Sequence, residues 1–289
     1  MRGDIYHICN LSPKVIFRSE EDFLMAINKL AICSFVCNVD ILAFSIMSTH
    51  FHIVVMGTEE DVRKFLSLIS KILACRYRQH YGKSLKINFS TRKINENMYD
   101  LITCINYVLK NGLHHGVVGY PFVYPYSSIG CYFYEELRRQ EYFKGANANI
   151  YQTYLKPSDL SLRDKRALFG SFNAPETFRI LFNRIVIPES FVNVRLVEQI
   201  YSTPKNFMYN MMKPLKEEIE MFGTDQTLIN DRFSKVNLAG TLSDLQVCEI
   251  IDCSIYPRSF TSLSKMEISN LWEKLLRQGV SKFQFERCI

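Results

Sequence analysis

Two histidines separated by a single residue are the first pattern in this sequence that could do chemistry. Side chains alternate between the two faces of a β-strand, so His50 and His52 would project from the same face. Phe51, Ile53 and Val55 would then face the opposite way, into a core. Two imidazoles on one rigid face can ligate one divalent cation. Alternatively, both histidines are hydrogen-bonded core residues, and the pattern by itself does not exclude this.

A tyrosine and an asparagine four residues apart form the second pattern. Tyr107 and Asn111 lie in a segment with helical periodicity, where positions four apart share a face. The phenol of Tyr107 could act as a nucleophile, and the carbonyl oxygen of Asn111 is a hard ligand suited to Mg²⁺ or Mn²⁺. Alternatively, Tyr107 serves only to pack an amphipathic helix.

The elements that must position these residues follow from the apolar periodicity of the first half of the chain. The pattern predicts the order β-α-β-β-α-β followed by a helix. This order is typical of an α+β, ferredoxin-like antiparallel sheet with helices on one face. The predicted strands are residues 5–9, 39–47, 50–57 and 85–94, and the predicted helices begin at Glu20 and cover residues 59–81 and 98–111, with Gly112 ending the last of them.

Residues 5 to about 133 resemble the HUH single-tyrosine transposases of bacterial insertion sequences. The closer resemblance is to their REP-associated tyrosine transposase branch. The elements that carry it are, in chain order, Tyr6-His7 on an early strand, Ile16-Phe17-Arg18-Ser19-Glu20-Glu21-Asp22 at a helix start, Ala43-Phe44-Ser45-Ile46-Met47-Ser48-Thr49-His50-Phe51-His52, the pair Tyr107 and Asn111, and Pro125-Tyr126-Ser127-Ser128.

The chain departs from that family at three places. Ser48-Thr49 stands where the family usually has Pro-Asn, and Tyr126 stands where it has Trp. The run from Asn111 to Gly116 replaces the family's Asn-Pro and Arg-Ala-Gly elements. None of these departures removes a presumed catalytic group, although the family's DNA sequence preference is not carried over to this chain.

The resemblance implies a metal-dependent single-strand DNA transposase or endonuclease. His50, His52 and Asn111 would hold one Mg²⁺ or Mn²⁺ ion, and Tyr107 would cleave and rejoin DNA through a 5′-phosphotyrosine intermediate. The partner would be single-stranded or hairpin DNA, and a homodimer is compatible with the family. Two alternatives are a catalytically silent, domesticated DNA- or RNA-binding regulator and an unrelated metal hydrolase that uses water.

A basic stretch without acidic residues supports a nucleic-acid partner. The net charge is +6, and no Asp or Glu occurs between Val62 and Asn95. Such a stretch fits a surface that meets phosphates, although a solvated helix face is the alternative. The expected nucleic-acid-binding residues are Arg76, Arg78, Lys83, Lys86, Arg92 and Lys93.

Other aromatic and histidine residues have two interpretations each. Tyr120, Tyr124 and Tyr126 could stack on unpaired bases or pack in a core. His114 and His115 could assist a proton transfer, but a solvated loop is the favoured interpretation for both.

The remaining expectations concern compartment and domain organisation. Nine cysteines without a CxxC motif suit neither a disulfide framework nor a closed zinc site, so the chain is expected to be reduced and cytoplasmic, associated with the nucleoid. The sequence shows no signal-peptide core and no apolar run of about 18 residues. The predicted organisation is a nuclease domain at 1–144, a linker at 145–157, and a helical domain at 158–289 with a helix-turn-helix at 264–289.

Overall fold

The computed structural model describes residues 3–12, 14–95, 97–134, 154–213, 242–258 and 260–289. Most of the predicted linker at 145–157 lies outside these residues, so the division into domains stays a prediction. None of the helices in the described ranges combines the length and the apolarity that crossing a membrane requires.

A four-stranded antiparallel sheet is the centre of the structure. Its strands are β1 (Asp4–Leu11), β2 (Asp40–Ile46), β3 (Phe51–Gly57) and β4 (Asn88–Lys93), in the order β2-β3-β1-β4. All three neighbouring pairs are antiparallel. The α+β class is therefore confirmed, and each strand falls within a few residues of its predicted position.

Three helices in the first half of the chain begin at residues that cap them. They are α1 (Glu20–Val36), α2 (Glu59–Tyr81) and α3 (Met98–Leu109). The side chains of Ser19, Thr58 and Asn97 accept backbone N–H groups at the three N-termini, which otherwise lack partners. Gly82, with φ 65°, ends α2 in the left-handed conformation that favours glycine.

The segment after α3 differs from the prediction of one helix that continues to Asn111. The helix ends at Leu109, and a separate short helix, α4 (Asn111–His114), follows Lys110. Gly112 lies inside α4 and does not end a helix. A Cβ atom at Gly112 would lie 2.7 Å from Cγ of Tyr124, so this position needs a glycine because an aromatic ring packs directly against the backbone.

The helices occupy both faces of the sheet, which corrects the prediction that they lie on one face. The register pairs Ser45 with His52, so these residues share one face, and Phe51 lies on the other. The N-terminal segment packs on the Phe51 face, where the ring centroid of Phe17 lies 6.3 Å from that of Phe51 and Phe17 also contacts Phe23 of α1. The α3 helix packs on the His52 face.

The outer edge of β2 is covered by later parts of the chain, and elements packed on both faces of the sheet bury β2 and β3. Isolated bridges join Ser45 to Ser127 and Ile41 to Val192. Three helices lie in this later region, namely α5 (Leu162–Phe169), α6 (Val194–Tyr201) and α7 (Pro204–Met212). Apolar side chains from residues 155–211 belong to the same hydrophobic core as the sheet.

The last three helices build a second hydrophobic core. They are α8 (Asp244–Ile255), α9 (Lys265–Leu276) and α10 (Lys282–Cys288). Val15, from the segment between β1 and α1, is buried in this second core. The guanidinium of Arg18 binds Asp252 at 2.9 Å and also donates to the carbonyl of Cys288. This unit is therefore attached to the β1–α1 segment by both apolar and polar contacts.

Candidate functional site

His50 and His52 meet at the centre of the sheet, as predicted from their spacing. His52 lies on β3, and His50 immediately precedes that strand. Both side chains are buried, their ring centroids lie 5.1 Å apart, and the ring planes are perpendicular. The His-X-His pattern therefore places two imidazoles side by side.

Tyr107 projects from α3 onto the same face of the sheet. Its ring is perpendicular to that of His52, with the centroids 5.2 Å apart, and perpendicular to that of His7, with the centroids 5.9 Å apart. Only 5% of the Tyr107 side chain is exposed. The predicted nucleophile and one predicted metal ligand are thus in direct contact.

Asn111 is the first residue of α4 and is completely buried. Neither its Oδ1 nor its Nδ2 atom has a hydrogen-bond partner among the described residues. The same holds for Nε2 of His52. Leaving a buried polar group without a partner typically costs about 1–3 kcal/mol, so such groups call for an explanation. A bound cation would supply one for Oδ1 of Asn111 and Nε2 of His52.

Three further histidines lie beside these residues. The sequence marks His7 through the family resemblance alone, and it favours a solvated loop for His114 and His115 over a role in proton transfer. Nε2 of His7, on β1, lies 3.1 Å from Nδ1 of His52. The ring of His114 lies 4.9 Å from that of Tyr107, and the ring of His115 lies 4.7 Å from that of His50. The favoured expectation of a solvated loop for His114 and His115 is wrong for His114, which is buried because α4 turns it back toward the sheet.

Burial keeps the inner imidazoles in their neutral form. Burial lowers the pKa of His7 to about 4, and the nearby positive charge of Arg92 adds to this effect. Burial also lowers the pKa of His52 well below its ordinary value, and the neighbouring imidazoles of His50 and His7 lower it further. A neutral imidazole is the form that ligates a metal ion.

No protein-family model matches this chain, and no curated protein matches it. Among solved structures, the chain is similar to a REP-associated tyrosine transposase bound to a REP hairpin. That similarity has 17% sequence identity and a TM-score of 0.34, and it covers 44% of this chain and 78% of the other.

The chemistry of the donor set decides whether a divalent cation fits this site. Within the described part of the chain, no group of three or more His, Cys, Asp or Glu side chains is arranged to hold a metal ion. The set formed by His50, His52 and Asn111 is of a different kind, because it combines two imidazoles with one amide oxygen. Nε2 of His52 and Oδ1 of Asn111, which lack hydrogen-bond partners among the described residues, fit a divalent cation that takes mixed nitrogen and oxygen ligands.

The six predicted nucleic-acid-binding residues have different surroundings. Arg78, Lys86 and Arg92 are exposed. Arg92 pairs with His7 in the β1–β4 register and therefore lies on the same face of the sheet as the site. Lys93 is also exposed but forms an ion pair with Asp4 at 2.8 Å. These four residues stay candidates for contacts with phosphates.

The other two, Arg76 and Lys83, join segments that are distant in the sequence. Arg76 binds Glu21 at 2.8 Å and lies 3.9 Å from Asp22, so it joins α2 to α1. Nζ of Lys83 donates to the carbonyl oxygen of Ile289 at 2.8 Å and lies over the ring of Phe260. These contacts depend on tertiary packing, and no local signal in the basic stretch distinguishes the two residues from their neighbours.

The three candidate stacking tyrosines also differ. Tyr120 is exposed, whereas the ring of Tyr126 stacks on that of Phe23 with the centroids 4.1 Å apart. Tyr124 is buried, and its hydroxyl donates to the carbonyl of Ile46. Tyr124 and Tyr126 therefore hold the 121–131 segment against the sheet and α1, and Tyr120 stays the candidate for stacking on a base.

Proposed function

We propose that this chain is a single-tyrosine HUH nuclease and strand transferase that acts on single-stranded or hairpin DNA. The observation that carries the proposal is the contact between Tyr107 and His52 on one buried face of the sheet, with His50 beside them. The β2-β3-β1-β4 order with antiparallel neighbours supports the ferredoxin-like arrangement that this function would use.

His50, His52 and Asn111 would hold the divalent cation, Mg²⁺ or Mn²⁺. When bound, it would polarise the scissile phosphate and offset the charge that develops during the reaction. The protein's contribution would be to present the neutral imidazole of His52, the imidazole of His50 and the amide oxygen of Asn111.

Tyr107 would supply the nucleophile. Its phenolic oxygen would form a bond to phosphorus while the bond between phosphorus and the 3′ oxygen breaks. The phenolic proton would end on the released 3′-hydroxyl, and His114, whose ring lies 4.9 Å from that of Tyr107, would carry it. The exchange of one phosphoester for another conserves the bond, so a later 3′-hydroxyl can rejoin the strand without ATP.

The experiment that tests this function is an assay for a covalent adduct. The purified protein would be mixed with 3′-labelled single-stranded DNA from the flanks of its own gene, in the presence of Mn²⁺. We expect the label to move to the size of the protein on a denaturing gel. The adduct should be absent with chelator and in Tyr107→Phe, and should persist in Tyr99→Phe, a control on α3 whose side chain is 53% exposed.

A catalytically silent nucleic-acid-binding regulator is the second candidate, and the burial of the site favours it. Tyr107 is only 5% exposed, so a DNA strand can reach the phenol only after part of its cover moves away. If the wild-type protein binds DNA but forms no adduct under any metal condition, this second function would be established. Adduct formation would exclude it.

A further inference from the structure

We propose that His7 is a positioning residue that holds His52 in the tautomer able to bind a metal ion. This inference rests on the proposed function, because it assigns a role to His7 toward the same cation. The resemblance to the transposases includes a histidine on the first strand but assigns no role to it. The structure shows the contact on which a role for His7 can be based.

The two rings meet edge to edge. Nε2 of His7 and Nδ1 of His52 are 3.1 Å apart, within hydrogen-bond distance. The ring planes differ by only 4°, and the centroids are 5.3 Å apart. Nearly coplanar rings with two nitrogens at this distance share a hydrogen bond through their edges, so one proton lies between the two nitrogens.

The location of that proton determines what His52 can do. If Nδ1 of His52 carries the proton and donates to Nε2 of His7, Nε2 of His52 keeps its lone pair for a metal ion. If His7 donates instead, the neutral ring of His52 carries its own proton on Nε2 and cannot be a ligand there. His7 acting as the acceptor therefore selects the tautomer that binds the cation.

The sheet register keeps this pair together. His7 lies opposite Val54, and Cys9 lies opposite His52, so the two histidines are diagonal neighbours on adjacent strands and share a face. Both side chains are buried, so bulk water does not compete for the bond. Nε2 of His52 has no hydrogen-bond partner among the described residues, which agrees with its serving as the ligand atom.

His50, the second predicted histidine ligand, also has a neighbouring group at its Nδ1 atom. Nδ1 of His50 lies 2.9 Å from the hydroxyl oxygen of Thr49. Both histidines thus have Nδ1 engaged by a neighbour within the protein. Groups that bind the far nitrogen of a metal-bound histidine fix the ring and raise its basicity, and removing them typically lowers metal affinity by about 10–100-fold.

The first test is the ¹⁵N spectrum of the imidazole nitrogens in the metal-free wild-type protein. The chain contains six histidines, and comparison with His52→Gln assigns the signals of His52. We expect Nδ1 of His52 to carry the proton and Nε2 to be unprotonated. A protonated Nε2 of His52 would overturn the proposal, and this measurement needs no variant at position 7.

The second test measures Mn²⁺ affinity by titration calorimetry for wild type, His7→Leu and His7→Gln. We expect about a 10–100-fold loss in His7→Leu, which cannot accept a hydrogen bond. His7→Gln, whose amide can reach the position of Nε2, should recover most of the affinity. Equal affinity in all three proteins would overturn the proposal, as would an equal loss in both variants when their thermal unfolding matches that of the wild type.

The two proposals fail in distinguishable ways. A wild-type protein that binds no Mn²⁺ and forms no adduct would remove the proposed function, and the role of His7 with it. A wild-type protein that binds Mn²⁺ and forms the adduct, together with a His7→Leu variant that does both equally well, would remove the role of His7 alone.

Discussion

The phenol ring of Tyr107 stands perpendicular to the imidazole of His52, with their centroids 5.2 Å apart, and both side chains are buried. An edge-to-face contact of this kind fixes the direction of the phenol relative to the imidazole. Because His52 lies on a central strand and Tyr107 on a capped helix, the relationship between the proposed nucleophile and the proposed ligand is set by rigid elements and not by a loop.

Replacing Tyr107 with phenylalanine should abolish the DNA adduct and leave the fold intact. The substitution removes one hydroxyl, so the free energy of unfolding should change by about 1 kcal/mol. Urea denaturation and a DNA-binding titration check this expectation. A Tyr107→Phe protein that still cleaves DNA would show that water is the nucleophile and would support the metal-hydrolase alternative.

Replacing Asn111 with leucine should separate stability from metal binding. The buried amide of Asn111 lacks hydrogen-bond partners among the described residues, so an apolar side chain of similar size should leave the metal-free protein as stable as wild type, or more stable by about 1 kcal/mol. Mn²⁺ should raise the Tm of the wild type and leave that of Asn111→Leu unchanged, because only a state that binds the ion is stabilised by it.

The matched control for that substitution is Asn106→Leu. Asn106, on α3, is buried like Asn111, but it accepts a hydrogen bond from the hydroxyl of Tyr201 at 2.6 Å and donates to Asn210 at 3.3 Å. Its loss should destabilise the protein by about 1–3 kcal/mol. If Asn111→Leu lowers the Tm as much as Asn106→Leu does, the amide of Asn111 is a structural group and not a metal ligand.

Replacing Gly112 with alanine should distort the turn that follows α3. The added Cβ would lie 2.7 Å from Cγ of Tyr124, and the ring of Tyr124 is held in place by the hydrogen bond to Ile46. We expect a loss of about 1–3 kcal/mol, measured by urea unfolding. Gly119→Ala is the control, because no atom lies within 4 Å of a Cβ at that position. Equal unfolding midpoints for both variants would contradict this prediction.

Replacing Arg18 with methionine should weaken the attachment of the last three helices. The Arg18 side chain is 5% exposed and binds Asp252, whose own side chain is 42% exposed. Since Asp252 remains partly hydrated, the expected loss is about 2 kcal/mol. Proteolysis within residues 242–289 should become faster. Arg63→Met is the control. It removes the ion pair with Glu59, in which both side chains are exposed, and should not measurably change the proteolysis rate or the free energy of unfolding.

Replacing Arg92 with glutamine should reduce the salt dependence of binding to single-stranded DNA. Arg92 is exposed and lies on the face of the site, so we expect the slope of log K against log salt to fall by roughly 0.7. Arg76→Gln should leave the slope unchanged and lower stability, because Arg76 joins α2 to Glu21. If Arg76→Gln reduced the slope and Arg92→Gln did not, the DNA would lie along α2 and away from the edge strand β4.

Much of the fold could be predicted from local patterns. The predicted limits of α2 agree with the structure because a capping threonine, an apolar stripe and a left-handed glycine all lie within one short stretch of sequence. The shared face of His50 and His52 likewise follows from the alternation of side chains along a strand. The end of α3 was harder to predict, because the packing of Tyr124 against Gly112 involves residues that are distant in sequence.

The sequence by itself determined the chemical groups of the candidate site and the order of the elements that carry them. Only the tertiary structure decided that His7 meets His52, that His114 is buried beside Tyr107, and that Arg76 and Lys83 make contacts within the protein. The physical reason is that periodicity and caps are encoded by near neighbours in the chain. Strand register and ion pairing instead depend on contacts between distant segments, which form only when the whole core is packed.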